Sequence, residues 1–141
     1  AGDVTVRHHV AAVEHLEDAT AGKAAGNALF KKKKYVEALR AYQQVTITLN
    51  RYTDMTQLGA DDREVAVKTL LSTYLNMAQC FRNTGAAADA VKFCTGAIEL
   101  DKDNRTGQLP KALLRRAQAL NETKEFEAAA ADLKRAYTLA H

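Results

Sequence analysis

Five polar side chains at helical spacing are the part of this sequence most able to do chemistry. Lys23 and Asn27 stand four residues apart, as do Lys111 and Arg115, and Asn76 lies between the two pairs in the chain. Residues four apart share one face of a helix. Ammonium and guanidinium groups donate charge-assisted hydrogen bonds, and an Asn amide adds a neutral donor and an acceptor, so this set suits a carboxylate. Asn in a helix interior costs about 0.5–0.7 kcal/mol relative to Ala. Two of them at such positions therefore call for a functional reason. Phe30, one turn beyond Asn27, and Gln79 and Arg82, following Asn76, are further candidates for contact with a bound chain.

The elements that must position these residues follow from a repeat of small side chains. From Gly26, the residues Ala38, Tyr42 and Val45 lie at offsets of 12, 16 and 19; the same offsets give Ala78, Ala90, Cys94 and Ala97, then Ala117, Ala129, Leu133 and Ala136. In each copy a small residue on a first helix meets a small residue opening a second, and a larger apolar group follows one turn later. Two antiparallel helices can then approach closely. Leu29, Phe81 and Leu120 fall three positions after the first small residue and are expected to fill the pair interface. The segments KKKKY, NTGAA and NETKEF are predicted to break the helices between the members of each pair. One pair cannot bury its apolar face alone, whereas three stacked pairs share a continuous core.

With these positions established, the pattern resembles the tetratricopeptide repeat, a helix-turn-helix unit of about 34 residues. The signature Trp of the first helix is absent, with Gly22, Tyr74 and Leu113 standing there, and so is the Pro that often ends the unit. The resemblance implies an all-α fold: a right-handed alpha-alpha superhelix of three repeats at about 19–52, 71–104 and 110–141, after an N-terminal, partly helical lead-in over 1–18. Gly26 and Ala78 are 52 residues apart and Ala78 and Ala117 are 39 apart, so the first interval holds the larger insert. That insert predicts a lengthened helix pair between repeats 1 and 2, with a loop around Leu58 to Asp62 and an early start to the third helix. The first helix is expected to extend back towards Val10, and Pro110 to open the fifth.

Stacked pairs place their first helices on one concave wall, so the five polar residues are expected to converge on one groove. Residue by residue they are similar to the dicarboxylate clamp of chaperone-binding tetratricopeptide domains: Lys23 and Asn27 in the first repeat, Asn76 in the second, Lys111 and Arg115 in the third. The resemblance implies binding of the acidic C-terminal Glu-Glu-Val-Asp tail of heat-shock protein 90 or 70. It further implies a monomeric, cytoplasmic module of an immunophilin-type co-chaperone whose peptidyl-prolyl isomerase domain lies elsewhere. The alternatives are a scaffold for a different or internal peptide, and the targeting domain of a larger enzyme such as an isomerase or phosphatase.

Composition narrows the field around this reading. The 141 residues include 47% hydrophobic and 26% charged side chains with one Pro, which favours one globular helical domain over a disordered chain. A net charge of +3 is too mild for a nucleic-acid partner. Lys31 to Lys34 read as a solvated corner between helices. Cys80 and Cys94 read as packing residues in a reducing compartment. His8, His9, His15 and His141 lack partners at metal-ligand spacing, so no metal or other cofactor is expected. No Ser/His/Asp set or phosphate loop suggests an enzyme. The first twenty residues form neither a signal peptide nor a membrane span. The chain begins without Met, as a piece of a longer protein would.

Overall fold

The computed structural model describes the backbone of residues 2–52 and 58–141, and the side chains from Arg7 onward within these spans except that of His8. Residues 53–57, inside the expected insert, and the His8 side chain, part of the metal reading, lie outside the described residues. All regular structure among the described residues is helical: α1 (Gly2–Lys31), α2 (Tyr35–Asn50), α3 (Ala60–Asn83), α4 (Ala87–Leu100), α5 (Leu109–Glu122) and α6 (Phe126–Ala140). Two compact units divide the chain within α3, at Thr73 and Tyr74.

The helix pairs turn in the same way each time. In α1→α2, Lys34 N–H donates to the Leu29 carbonyl at 3.0 Å and Lys33 N–H to that of Phe30 at 2.9 Å, with Lys33 at φ 61°. In α3→α4, Ala86 N–H donates to Phe81 and Gly85 N–H to Arg82, with Gly85 at φ 81°. In α5→α6, Glu125 N–H donates to Leu120 and Lys124 N–H to Asn121, with Lys124 at φ 64°. This crossed pair of bonds around one left-handed residue satisfies carbonyls that a helix end would otherwise leave open. Leu29, Phe81 and Leu120, expected in the pair interface, thus also accept the bond that starts each reversal.

The first unit holds α1, α2 and residues 60–73 of α3. Ala12, Leu16 and Ala19 of α1, Ala38, Tyr42, Val45 and Leu49 of α2, and Ala66, Leu70 and Leu71 of α3 are buried. Gly26 lies so close to α2 that an added Cβ would stand 2.5 Å from Tyr42 Cε1. The Tyr42 ring fills the space that the missing side chain leaves. α1 begins at Gly2 rather than near Val10. α3 starts early, and its 24 residues compare with 14 in α5. It begins at Ala60, inside the stretch expected to be a loop, because Asp61 and Asp62 in its first turn suit the positive end of the helix dipole.

The second unit holds residues 74–83 of α3 with α4, α5 and α6. Ala78, Ala90, Cys94 and Ala119 form one buried cluster under Phe81 and Phe93, whose rings stack with centroids 5.3 Å apart; Ala117, Leu120 and Ala129 form another. Between α4 and α5 the buried Asp101 carboxylate accepts from Arg105 N–H at 2.8 Å and Thr106 Oγ1 at 2.5 Å. Pro110 sits in the first turn of α5, where its lack of an N–H is harmless.

The third copy departs from the expected packing at one residue. Leu133, placed in the pair interface by the offsets, is 43% exposed, and its neighbour Asp132 is buried instead. The reason is electrostatic: Arg116 of α5 draws Asp132 inward with two hydrogen bonds, which turns Leu133 outward.

Replacing Gly26 by Ala tests the close approach of α1 and α2. Helix propensity alone favours Ala by about 1 kcal/mol. Overpacking a ring that is fully buried outweighs it, so Gly26→Ala is expected to destabilise by about 1–2 kcal/mol in urea unfolding. Gly59→Ala, with nothing within 4 Å of the added Cβ, is the control and should change little. Equal midpoints for the two variants would contradict the packing.

Candidate functional site

On α1 of the first unit, Lys23, Asn27 and Phe30 follow one another at i, i+4 and i+7, all half-buried. Asn27 is fixed by its partner in the pair: Tyr42 donates its hydroxyl to Asn27 Oδ1 at 2.5 Å. That bond holds the Asn27 amide in one orientation on the α1 face that also carries Lys23. Phe30 packs edge-on against Tyr35 across the turn, with ring centroids 5.5 Å apart.

In the second unit α3 carries Asn76, Gln79 and Arg82, all half-buried, and α5 carries the exposed Lys111 and the half-buried Arg115. Lys111 and Arg115 act on each other electrostatically, and Arg115 also feels Arg82. Arg115 Nη1 is buried and makes no hydrogen bond. Burial, and secondarily Arg82, holds the Arg115 guanidinium below its ordinary pKa, opposed by the Cys94 sulfur. Lys111 is likewise pushed down, first by the charge of Arg115 and then by burial. Both shifts have the sign that an added anion would reverse.

The adjacent residue shows how the fold treats a cation that it pairs. Arg116 donates Nε to Asp132 Oδ2 at 2.7 Å and Nη2 to Asp132 Oδ1 at 2.8 Å, and its Nη1 reaches Thr95 Oγ1 at 3.3 Å. The hydrogen bonds to Asp132 raise the Arg116 pKa above its ordinary value. This bidentate pair ties α6 to α5, with Thr95 of α4 behind it. Burial pushes the Cys94 thiol up to about 11, although Arg115, Arg116 and Arg82 all pull it down. Cys80 is also pushed up to about 11 by burial. Neither thiol is a nucleophile at neutral pH.

Several of these contacts lay outside the sequence reading. Arg82, expected as a groove contact, donates to Glu122 and Gln118 of α5. The spacing of Lys111, Arg115, Gln118 and Glu122 on one helical stripe could have shown that alignment; nothing local pointed to Asp132 or to the Tyr42 hydroxyl. Among the described residues no cluster of His, Cys, Asp or Glu is placed to hold a metal ion, and no helix is long and apolar enough to cross a membrane.

The family model described as tetratricopeptide repeat matches residues 71–104 and 110–140. The peptidyl-prolyl cis-trans isomerase FKBP4 of Homo sapiens is 31% identical over 126 residues, which is 89% of this chain and 26% of that protein. The chain therefore spans about a quarter of that relative. A multi-domain immunophilin from Arabidopsis thaliana superposes with a TM-score of 0.76 at 26% identity, over 88% of this chain and 46% of that one. The second TPR of Spaghetti (RPAP3), solved with the HSP90 peptide SRMEEVD, has a TM-score of 0.67 at 23% identity, over 89% of this chain and 95% of that one.

Asp132→Ala would leave Arg116 half-buried without its carboxylate. It is expected to cost about 1.5–3 kcal/mol, the range for hydrogen bonds to a charged group. Chemical denaturation measures this, and a loss within a few tenths of a kcal/mol would show that the pair does not hold α6 in place.

Proposed function

The helix pairs at residues 71–104 and 110–140 belong to the tetratricopeptide-repeat family, and from that premise we propose that the chain binds the acidic C-terminal peptide of a heat-shock protein 90-type chaperone through its terminal carboxylates. This segment is an interaction module and not an enzyme. The observation that carries the reading is Arg115: a guanidinium nitrogen buried without a hydrogen bond, beside an arginine whose hydrogen bonds are made inside the fold. An unmade hydrogen bond of a buried group is costly, more so for a charged one. A carboxylate arriving at the half-buried guanidinium offsets that cost with hydrogen bonds and a counter-charge, and relieves the repulsion from Lys111 and Arg82.

A C-terminal Asp brings two carboxylates a few ångströms apart. Arg115 and Lys111, one turn apart on α5, suit one of them, and Asn76 of α3 adds an amide donor. Lys23 and Asn27 on α1 repeat the same chemistry, an ammonium and an amide donor one turn apart, and the proposal includes them as ligand donors. The bond from Tyr42 supports Asn27 in that role by fixing the orientation of its amide. One likeness supports the choice of partner, the Spaghetti repeat domain bound to the HSP90 peptide SRMEEVD; the likeness to the peptidyl-prolyl isomerase FKBP4 supports the kind of parent protein. The module would serve a cytoplasmic co-chaperone of immunophilin type, with isomerase activity located outside this segment.

Calorimetric titration of the full chain with an acidic pentapeptide ending in Asp, against the same peptide as its C-terminal amide, tests the reading. The acid should bind and the amide should bind far more weakly; equal binding would contradict a carboxylate site. Arg115→Ala is expected to weaken the acid peptide by about 1.5–3 kcal/mol. A change of only a few tenths would remove Arg115 from the site.

A further inference from the structure

Lys111, Arg115, Gln118 and Glu122 form one stripe along α5, at i, i+4, i+7 and i+11, and the charge along it changes sign. At the acidic end stands Arg82, from the last turn of α3. It donates Nε and Nη2 to Glu122 Oε1 at 2.9 and 2.5 Å, and Nη1 to Gln118 Oε1 at 3.0 Å. All three nitrogens of the guanidinium are engaged by α5. The pair stays at the surface, with Arg82 22% and Glu122 41% exposed, so an incoming group can reach it. Glu122 is also the last residue of α5, where the helix dipole disfavours a carboxylate. Helix stability alone gives no reason for an acid there.

A guanidinium held by a carboxylate is the arrangement that an acidic side chain of a ligand would make with Arg82. We propose that Glu122 is a specificity-determining residue: it occupies Arg82 in place of a ligand's acidic side chain, so that upstream acids of a bound tail add little affinity. The inference rests on the reading of Lys111 and Arg115 as donors to a terminal carboxylate. Arg115 and Glu122 are seven residues apart, about 10 Å along the helix at about 1.5 Å per residue. An extended peptide advances about 3.3 Å per residue, so about three of its residues cover that distance. A tail running along α5 from Arg115 sets the residue three before its terminal Asp opposite Glu122. An acid at that place gains Arg82 only by displacing Glu122, exchanging one carboxylate for another. Selectivity then falls on the terminal residue, and the number of acids further back matters little.

Two acetylated pentapeptides test this. Both end in Val-Asp, and they differ only in having Glu or Gln three residues before the Asp. They are titrated into the full chain, into Glu122→Ala and into the double variant Glu122→Ala with Arg82→Ala; a thermal melt of each confirms folding. The wild-type chain should bind both peptides within about twofold. Glu122→Ala, with Arg82 released, should prefer the Glu peptide by about fivefold, as a well-placed surface ion pair allows. The double variant should lose that preference. A clear Glu preference in the wild type, or none in Glu122→Ala while the Asp-ended peptide still outbinds its amide, would overturn the role of Glu122 and leave the terminal-carboxylate reading standing. Loss of acid-over-amide discrimination in the wild type would overturn both.

Discussion

Two arginines stand side by side on α5, and the fold satisfies only one of them. A buried guanidinium must find acceptors, because leaving its hydrogen bonds unmade costs more than the bonds themselves contribute when made. Arg116 finds Asp132 and Thr95, and with them joins α4, α5 and α6. Arg115 points elsewhere and keeps a buried nitrogen without a partner. Consecutive helical residues point about 100° apart, so one face of α5 builds the unit and the next is left to receive something from outside. Arg82 adds to the local positive charge while its own hydrogen bonds go to Gln118 and Glu122.

The helix pairs supply the rigidity that such a site needs. Each reversal uses the same crossed hydrogen bonds around a left-handed residue at the same place in the turn. The close approaches depend on small side chains: Gly26 under the Tyr42 ring in the first unit, Ala78 and Ala90 beneath Phe81 and Phe93 in the second. In the first pair, packing and chemistry share one residue. The ring of Tyr42 fills the space above Gly26, and its hydroxyl orients Asn27.

The helix pairs were legible in the sequence because small residues at fixed offsets report a backbone contact directly. Gly26, Ala38, Ala78, Ala90, Ala117 and Ala129 are all buried where the offsets placed them. The turns were legible only as breaks. Gly85 announces a left-handed residue, but Lys33 and Lys124 adopt the same conformation with side chains that give no sign of it. Leu133 misled because hydrophobic spacing assumes that an apolar residue outcompetes its neighbours for the interior, and Asp132 had a bidentate partner in α5 that spacing cannot reveal. The early start of α3 was legible but not its first residue: the loop expected to run to Asp62 ends before Ala60, because acids such as Asp61 and Asp62 are favoured in a first helical turn. The lysine run Lys31–Lys34 proved to be a corner, with one of its members setting the turn. At the site, residue types and their i,i+4 spacing were readable in advance. The unsatisfied nitrogen of Arg115 and the capture of Arg82 depend on how α3 and α5 pack side by side, which local spacing does not encode.

The central claim is that a ligand's carboxylate gives the half-buried Arg115 guanidinium the partner that the fold does not. A crystal structure of the chain with a pentapeptide ending in Asp tests it most directly. A terminal-residue carboxylate oxygen is expected within about 3 Å of a nitrogen of the half-buried Arg115 guanidinium, with Lys111 turned towards the same residue. A peptide seated with its terminal carboxylates away from α5, and Arg115 as it stands without it, would contradict the account.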